Sequence, residues 1–179
     1  MKCPLLIGIH GKPRAGKDTL AAYLKQKHNL LQYGPSMPVK RTAAAMFDVP
    51  LECFNDDNLK DTVDPFWGIS YREMAQKVGK ESSRDVFGDD FWMRNVEKYF
   101  NSFSRAYDGL ILADIRYANE ARWVTNNNGI VIFVTRENRD YAANESHPAE
   151  QGLPFELADV VIPNNGTVQE LYDLVDLVV

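Results

Sequence analysis

Cysteine is nearly absent from this 179-residue chain, which has only Cys3 and Cys53. Two cysteines build neither a disulfide framework nor a metal-ligand spacing, and a reducing compartment is the expected setting. Histidine is scarce too: His10, His28 and His147 form no metal constellation and no Ser-His-Asp arrangement. Long apolar runs are missing; none approaches the roughly 18 residues of a membrane span. The apolar stretch from Pro4 to Ile9 is too short for a signal peptide and lacks a cleavage-like flank. Repeats and low-complexity segments are missing as well. An excess of positive charge is the last absence. Lys and Arg number 20 against 25 Asp and Glu, a net charge of −5. That argues against nucleic acid as the main partner, because such binding needs many phosphate-neutralising cations. A small anionic ligand needs only a local cluster. A single cytoplasmic domain is expected from the length and these absences.

What is present reads as α/β. Leu5-Leu6-Ile7-Gly8-Ile9, Leu110-Ile111-Leu112-Ala113 and Ile130-Val131-Ile132-Phe133-Val134 are near-continuous apolar runs without alternation. Such runs suit strands covered on both faces, as in a parallel sheet. Val160-Val161-Ile162 and Leu30-Leu31-Gln32-Tyr33 are shorter candidates. Helical spacing is predicted over 18–28, 120–127 and 167–178, with Asn164-Asn165-Gly166 as a turn and Thr167 as N-cap of the last helix. Strand and helix alternate, except over about 34–108. That middle region is rich in Trp, Phe, Arg and Asp and reads as a helical insertion between two strands of one sheet.

The most informative segment is Gly11-Lys12-Pro13-Arg14-Ala15-Gly16-Lys17-Asp18-Thr19. It fits G-x-x-x-x-G-K, with an apolar strand before it and a helix after it, the context a phosphate-binding loop requires. Glycines let main-chain N–H groups turn around phosphate oxygens. The helix that begins here adds its partly positive end, and Lys17 reaches the β- and γ-phosphates. The usual loop follows its Lys with a Ser or Thr that holds Mg²⁺. Here Asp18 stands in that place and Thr19 follows, so either oxygen is a candidate metal ligand.

Phosphoryl transfer needs further cations to bring two anions together. The candidates are Lys40-Arg41; a cluster of Arg72, Gln76 and Arg84 with Trp92; and Arg136 with Arg139, just past the third long apolar run, in a polar segment of about 136–150 that reads as a lid. Asp114 ends the run Leu110-Ile111-Leu112-Ala113, and strand ends of this kind face ligands in open α/β sheets. It is a candidate for the metal shell or a substrate, with Arg116 for a phosphate. The competing readings are ordinary ones: solvated basic pairs, a surface ion pair, and Trp92, Met74, Ala75 and Val78 as core. His10 beside the loop reads as packing or a backbone hydrogen bond.

Taken together, these residues resemble the phage-type deoxynucleoside monophosphate kinases, within the P-loop nucleoside monophosphate kinase-like group. The likeness rests on Gly16-Lys17-Asp18-Thr19, including the Asp. Four further segments match in order: Gly34-Pro35-Ser36-Met37-Pro38-Val39-Lys40; Arg72 to Gly79 with Arg84 and Trp92; Asp114-Ile115-Arg116 with Glu120; and His147 to Pro154 with Asp159 to Leu171. The resemblance implies a P-loop NTPase fold: a doubly wound, mostly parallel sheet with core about 1–33 and 109–179, a helical acceptor-binding insertion and a lid. It implies transfer of the γ-phosphoryl of ATP to a deoxynucleoside monophosphate with Mg²⁺. The donor site would be Gly11, Lys12, Arg14, Ala15, Gly16, Lys17, Asp18, Thr19 and Arg136, with the stretch from Asn164 to Thr167, Asn165 and Gly166 included, bordering the adenine. Lys40, Arg72 and Arg84 would bind the acceptor or its phosphate, Gln76 and Trp92 would shape the base pocket, and Asp114, Arg116 and Glu120 would line the acceptor side. Lys17, Arg84 and Arg136 would be catalytic, and Asp18, Thr19 or Asp114 would meet the metal. Small molecules are the implied partners, with no nucleic acid and no membrane. A homodimer is the candidate assembly, and host cytoplasm the location if the source is viral. A phosphomevalonate-type kinase shares the Gly-Lys-Asp loop but has no need of Trp92. A non-catalytic nucleotide module is the alternative of another class; a guanine-reading N-K-x-D segment is not in the sequence.

Overall fold

The computed structural model describes residues 4–103, 105–137 and 152–179. Five strands are present: β1 (Leu5–His10), β2 (Leu30–Gln32), β3 (Gly109–Leu112), β4 (Ile130–Thr135) and β5 (Val160–Pro163). They form one sheet in the order β2-β3-β1-β4-β5, and every pairing is parallel. The apolar runs without alternation therefore mark strands covered on both faces. β3 is buried throughout, and β1 and β4 are buried over their four central residues. The edge strand β5 is thinner, with Val161 46% exposed.

Helices α1 (Lys17–His28) and α8 (Val168–Val175) cover one face. Leu20, Ala21 and Leu24 of α1, with Leu171 and Val175 of α8, pack on Ile7, Ile9, Ile111, Ile132, Val134 and Ile162. The i, i+3, i+4 spacing seen in the sequence is the stripe that makes this contact. Helix α7 (Ala118–Asn126) packs on β1 and β4, and its buried face is Ala121 and Val124. Thr167 caps α8 as predicted. Its Oγ1 accepts the Glu170 N–H at 3.2 Å, while Glu170 Oε2 accepts the Thr167 N–H at 2.7 Å, a reciprocal capping box. Three helices differ from the sequence reading at their ends, α1 by starting one residue early at Lys17. α8 stops at Val175, short of 178, and α7 starts at Ala118, two residues early.

The chain divides into two compact units. The first is residues 1–34 with 96–179 and contains the whole sheet; the second is residues 35–95. The second unit is helical: α2 (Ser36–Phe47), α3 (Glu52–Asn55), α4 (Tyr71–Gly79), a π turn over Lys80–Arg84, α5 (Asp85–Phe87) and the first residues of α6 (Phe91–Phe103). The expected insertion ran to about 108. The compact unit ends at residue 95 because the later part of α6 belongs to the sheet unit, where Tyr99 stacks on Tyr33 with centroids 3.9 Å apart. Among the described residues, no helix is long and apolar enough to cross a membrane.

Ala43, Phe54, Met74, Val78 and Trp92 form the core of the helical unit. This corrects the expectation that Trp92 shapes a base pocket. Its ring is 2% exposed, and its indole N–H donates to the Gly79 carbonyl at 2.9 Å. A buried ring with its one donor satisfied leaves no face for a base. Replacing it should act on stability in the absence of any ligand. Trp92→Ala is expected to lower the unfolding free energy by about 3–5 kcal/mol, measured by urea denaturation followed by circular dichroism; an unchanged midpoint would return Trp92 to the ligand.

Candidate functional site

Because all five strands are parallel, their carboxyl ends share one edge of the sheet. Four adjacent strands deliver the site there. β1 ends at His10 and runs into the loop from Gly11. β3 ends two residues before Asp114, β4 ends just before Arg136, and β5 ends just before Asn164.

Backbone geometry shapes the loop. Arg14 has φ +61° and Gly16 φ +108°, both in the left-handed region. Gly16 is required twice over, since a Cβ there would also lie 2.3 Å from Asn164 Nδ2. At Gly11 a Cβ would lie 2.4 Å from the Val134 carbonyl oxygen, so only glycine lets the chain leave β1 so close to β4. Ala15 N–H closes the turn on the Lys12 carbonyl at 3.1 Å. Gly16 is the N-cap of α1 and has no side chain to give, so no side chain caps the helix. The first-turn N–H groups are thus left for an anion.

Lys17 lies over this loop. Its ammonium donates to the Lys12 carbonyl at 3.1 Å and faces Asp114 Oδ1 at 3.6 Å. Asp114 is gripped from its other side by Arg116, whose Nε and Nη2 both lie 2.8 Å from Oδ2. Burial alone would push the Asp114 carboxyl up; Arg116 and Lys17 outweigh it and hold the group below its ordinary value. A cavity beside the loop is lined by Arg14, Lys17, Asp18, Thr19, Arg136 and Asn164, among others. Three of these are cations, so the cavity suits an anion. Asp18 and Thr19 lie exposed in the first turn of α1. Among the described residues no group of three or more His, Cys, Asp or Glu side chains makes a metal cage.

Asn165 and Gly166 sit in the turn between β5 and α8. Asn165 Oδ1 accepts the Glu137 N–H at 2.9 Å, which joins this turn to the end of β4 next to Arg136. The predicted lid falls on residues that, beyond Glu137, lie outside the described ones up to 151; Arg139 and His147 are among these. Lys12 is exposed, and its carbonyl accepts both the Lys17 ammonium and the Ala15 N–H.

Glu120 is a correction. It is 2% exposed, and its Oε2 accepts the main-chain N–H groups of Arg116 at 2.7 Å and Tyr117 at 3.3 Å. This carboxylate caps the start of α7 and anchors the backbone of Arg116, so it does not line the acceptor side. In the helical unit, Arg72 forms a two-pronged pair with Asp61 at 2.5 and 3.2 Å. Lys40 donates to Asn55 Oδ1 at 3.1 Å, and Gln76 is half-buried. Arg84 is 5% exposed in the π turn and donates to the Asp89 carbonyl at 2.6 Å. π turns gather at functional sites, which keeps Arg84 a candidate.

For two groups at the site the structure adds contacts that the sequence does not specify. His10 was read as packing or a backbone bond, and it does both. Its Nδ1–H donates to the Ile115 carbonyl at 2.8 Å, its Nε2 accepts the Leu153 N–H at 3.2 Å, and its ring meets Phe133 at 4.6 Å. Burial holds its pKa below the ordinary value, opposed by the Ile115 bond and reinforced by Lys17. Asn164 is 7% exposed and donates through Nδ2 to the Ala15 carbonyl at 2.8 Å. The turn signal marked its segment; nothing in the sequence marked a contact between residues 149 apart.

The Asp114 environment gives a pH dependence. A carboxylate with a depressed folded pKa contributes stability above its unfolded value, near 3.8, and loses that contribution as pH falls through the lower folded value. Wild-type stability should therefore drop on acidification below about pH 4, and Asp114→Asn should flatten that acid limb. Urea midpoints between roughly pH 3 and pH 6 measure it; identical acid limbs would mean that Asp114 is not held low.

Comparison with known proteins agrees with this geometry. Residues 49–175 match the deoxynucleotide monophosphate kinase family. A protein of Acanthamoeba polyphaga mimivirus named for the same kinase is 27% identical over 94% of this chain and 92% of its own length. The deoxynucleotide monophosphate kinase of Escherichia phage RB69 is 27% identical over 67% of this chain but 46% of its own length, so the chain spans about half of that relative. The structure of TT1252 from Thermus thermophilus superposes with a TM-score of 0.56 at 20% identity, over 99% of this chain and 97% of that one, and shares the fold. The chain belongs to the deoxynucleotide monophosphate kinase family.

Proposed function

We propose that this chain transfers the γ-phosphoryl group of ATP to the 5′-phosphate of a deoxynucleoside monophosphate, giving the diphosphate and ADP. The observation that carries the reading is Lys17 held between the phosphate loop and Asp114 at the carboxyl edge of the sheet, in a chain of this family. An acceptor phosphate oxygen attacks the γ-phosphorus, and the bond to the β,γ-bridging oxygen breaks as ADP leaves. The loop N–H groups and Lys17 take the charge on the β- and γ-phosphates. Arg14 and Arg136, both lining the loop cavity, add charge that stabilises the transferring group. Asn165 and Gly166 border the donor base. In the helical unit Lys40, Arg72, Gln76 and Arg84 are the candidates for the acceptor; in the sheet unit they are Asp114 and Arg116.

Mg²⁺ fits the donor set. It takes hard oxygen ligands, keeps several waters, and binds through one or two carboxylates plus substrate phosphates. Asp18, Thr19 and Asp114 offer such oxygens, and the missing protein cage is no obstacle. When bound, the ion neutralises charge shared by the β- and γ-phosphates.

A coupled ADP-release assay across dAMP, dCMP, dGMP, dTMP, their ribose counterparts and phosphomevalonate tests the reading. ADP release is expected to depend on a deoxynucleotide acceptor. A response to phosphomevalonate alone, or to no acceptor, would sink it. Lys17→Ala should lower kcat by about 10²–10³-fold with circular dichroism unchanged. Arg84→Ala should lower kcat/KM for the acceptor about tenfold or more, as expected for loss of a charged hydrogen bond; an unchanged value removes Arg84 from the site.

A further inference from the structure

The turn after β5 and the phosphate loop meet through one side chain. Asn164 is 7% exposed, yet it carries an amide. Its main-chain N–H donates to the Thr135 carbonyl at 2.7 Å, which fixes the residue to the end of β4. Its side-chain Nδ2 donates to the Ala15 carbonyl at 2.8 Å. The Ala15 side chain is itself buried, at 1% exposure. The same Nδ2 lies where a Cβ on Gly16 would have to be. Asn164 also lines the cavity beside the loop with Arg14, Lys17 and Arg136.

The peptide links make this contact consequential. The Ala15 carbonyl belongs to the same planar unit as the Gly16 N–H. Fixing the oxygen on one side of the loop fixes the N–H on the other, and the next residue is Lys17. A donor aimed at that oxygen therefore sets the direction of a main-chain N–H in the phosphate loop. The neighbouring Asn165 bonds Glu137, and Thr167 opens α8 through its capping box. The turn that begins at Asn164 is thus held at both ends.

We propose that Asn164 is a positioning residue that sets the phosphate loop for the triphosphate of the donor nucleotide. It transmits the placement of the turn beside α8 to the Ala15–Gly16 peptide. The inference rests on the kinase reading for the identity of the donor, but it predicts a binding property that can be measured without turnover. Removing the amide leaves the Ala15 carbonyl without its donor and frees the peptide to rotate. The loss falls on the donor side, because the contact is with the donor loop.

The test uses the full chain and three proteins: wild type, Asn164→Ala and Asn164→Leu. Leu restores the volume without the donor, so it separates packing from hydrogen bonding. ATP binding by calorimetry is expected to weaken about tenfold or more in both variants, the scale of leaving a buried carbonyl unsatisfied. Tripolyphosphate, which has no base, should weaken by a similar factor. In turnover assays the KM for ATP should rise while the KM for the deoxynucleotide acceptor stays within about twofold, the split expected of a donor-side contact. If Asn164→Leu binds ATP as wild type does, the amide has no positioning role and the proposal fails. Lower thermal stability with unchanged ATP affinity of the folded protein also overturns it. Should wild type bind ATP yet phosphorylate no acceptor, the kinase reading falls and this one stands on the binding data alone.

Discussion

A parallel sheet sends every strand's carboxyl end to the same edge, and this constraint organises the molecule. The order β2-β3-β1-β4-β5 sets β1 between β3 and β4. The loop that leaves β1 is therefore flanked by the residues that leave its neighbours: Asp114 and Arg116 after β3, Arg136 after β4, Asn164 one strand further. None of these needs a long excursion to reach the loop. The helices on the two faces are what permit the arrangement, since an all-parallel sheet must be covered on both sides.

Asp114 offsets part of the positive charge at this edge. Lys17 shares Asp114 with Arg116 and folds back on the Lys12 carbonyl. Such pairs are partly desolvated, so an approaching polyphosphate meets cations that are already oriented. The lowered pKa of Asp114 has the same origin, because Arg116 and Lys17 are the cations that oppose its burial. Glu120 lies one step behind, holding the main chain of Arg116 through two N–H groups.

Much of this was legible in the sequence. Uninterrupted apolar runs located the strands, because burial on both faces removes the alternation a one-sided sheet would show. The Thr167–Glu170 box located the start of α8 through local chemistry. The loop from Gly11 to Thr19 carried its own signature, and strand-end logic found Asp114. The misreadings were of another kind. The resemblance put Trp92 and Glu120 on the acceptor side, but both are buried: the indole packs with Met74 and Val78, and the carboxylate caps a helix. Burial on a given helix face depends on which segments pack together, and no local pattern encodes that. The contact from Asn164 to Ala15 spans the length of the sheet unit in sequence and is invisible for the same reason.

The misreadings and the missed contact have one physical source. A polar side chain removed from water must find a partner, and in a small domain the available partners are main-chain groups at helix and strand ends. Those ends are where loops carrying ligands are also anchored. Glu120 and Asn164 each satisfy a main-chain group close to a charged side chain: the N–H of Arg116 itself in one case, the Ala15 carbonyl two residues before Lys17 in the other. Each resembles a ligand-binding residue in the sequence because it sits beside one. What separates the two roles is charge: Lys17 brings a cation to the loop, while Glu120 and Asn164 spend their polar atoms on peptide groups. The side chains that hold the loop in place are therefore as specific to its chemistry as those that touch the phosphate, and they act by limiting how far the peptide units can turn.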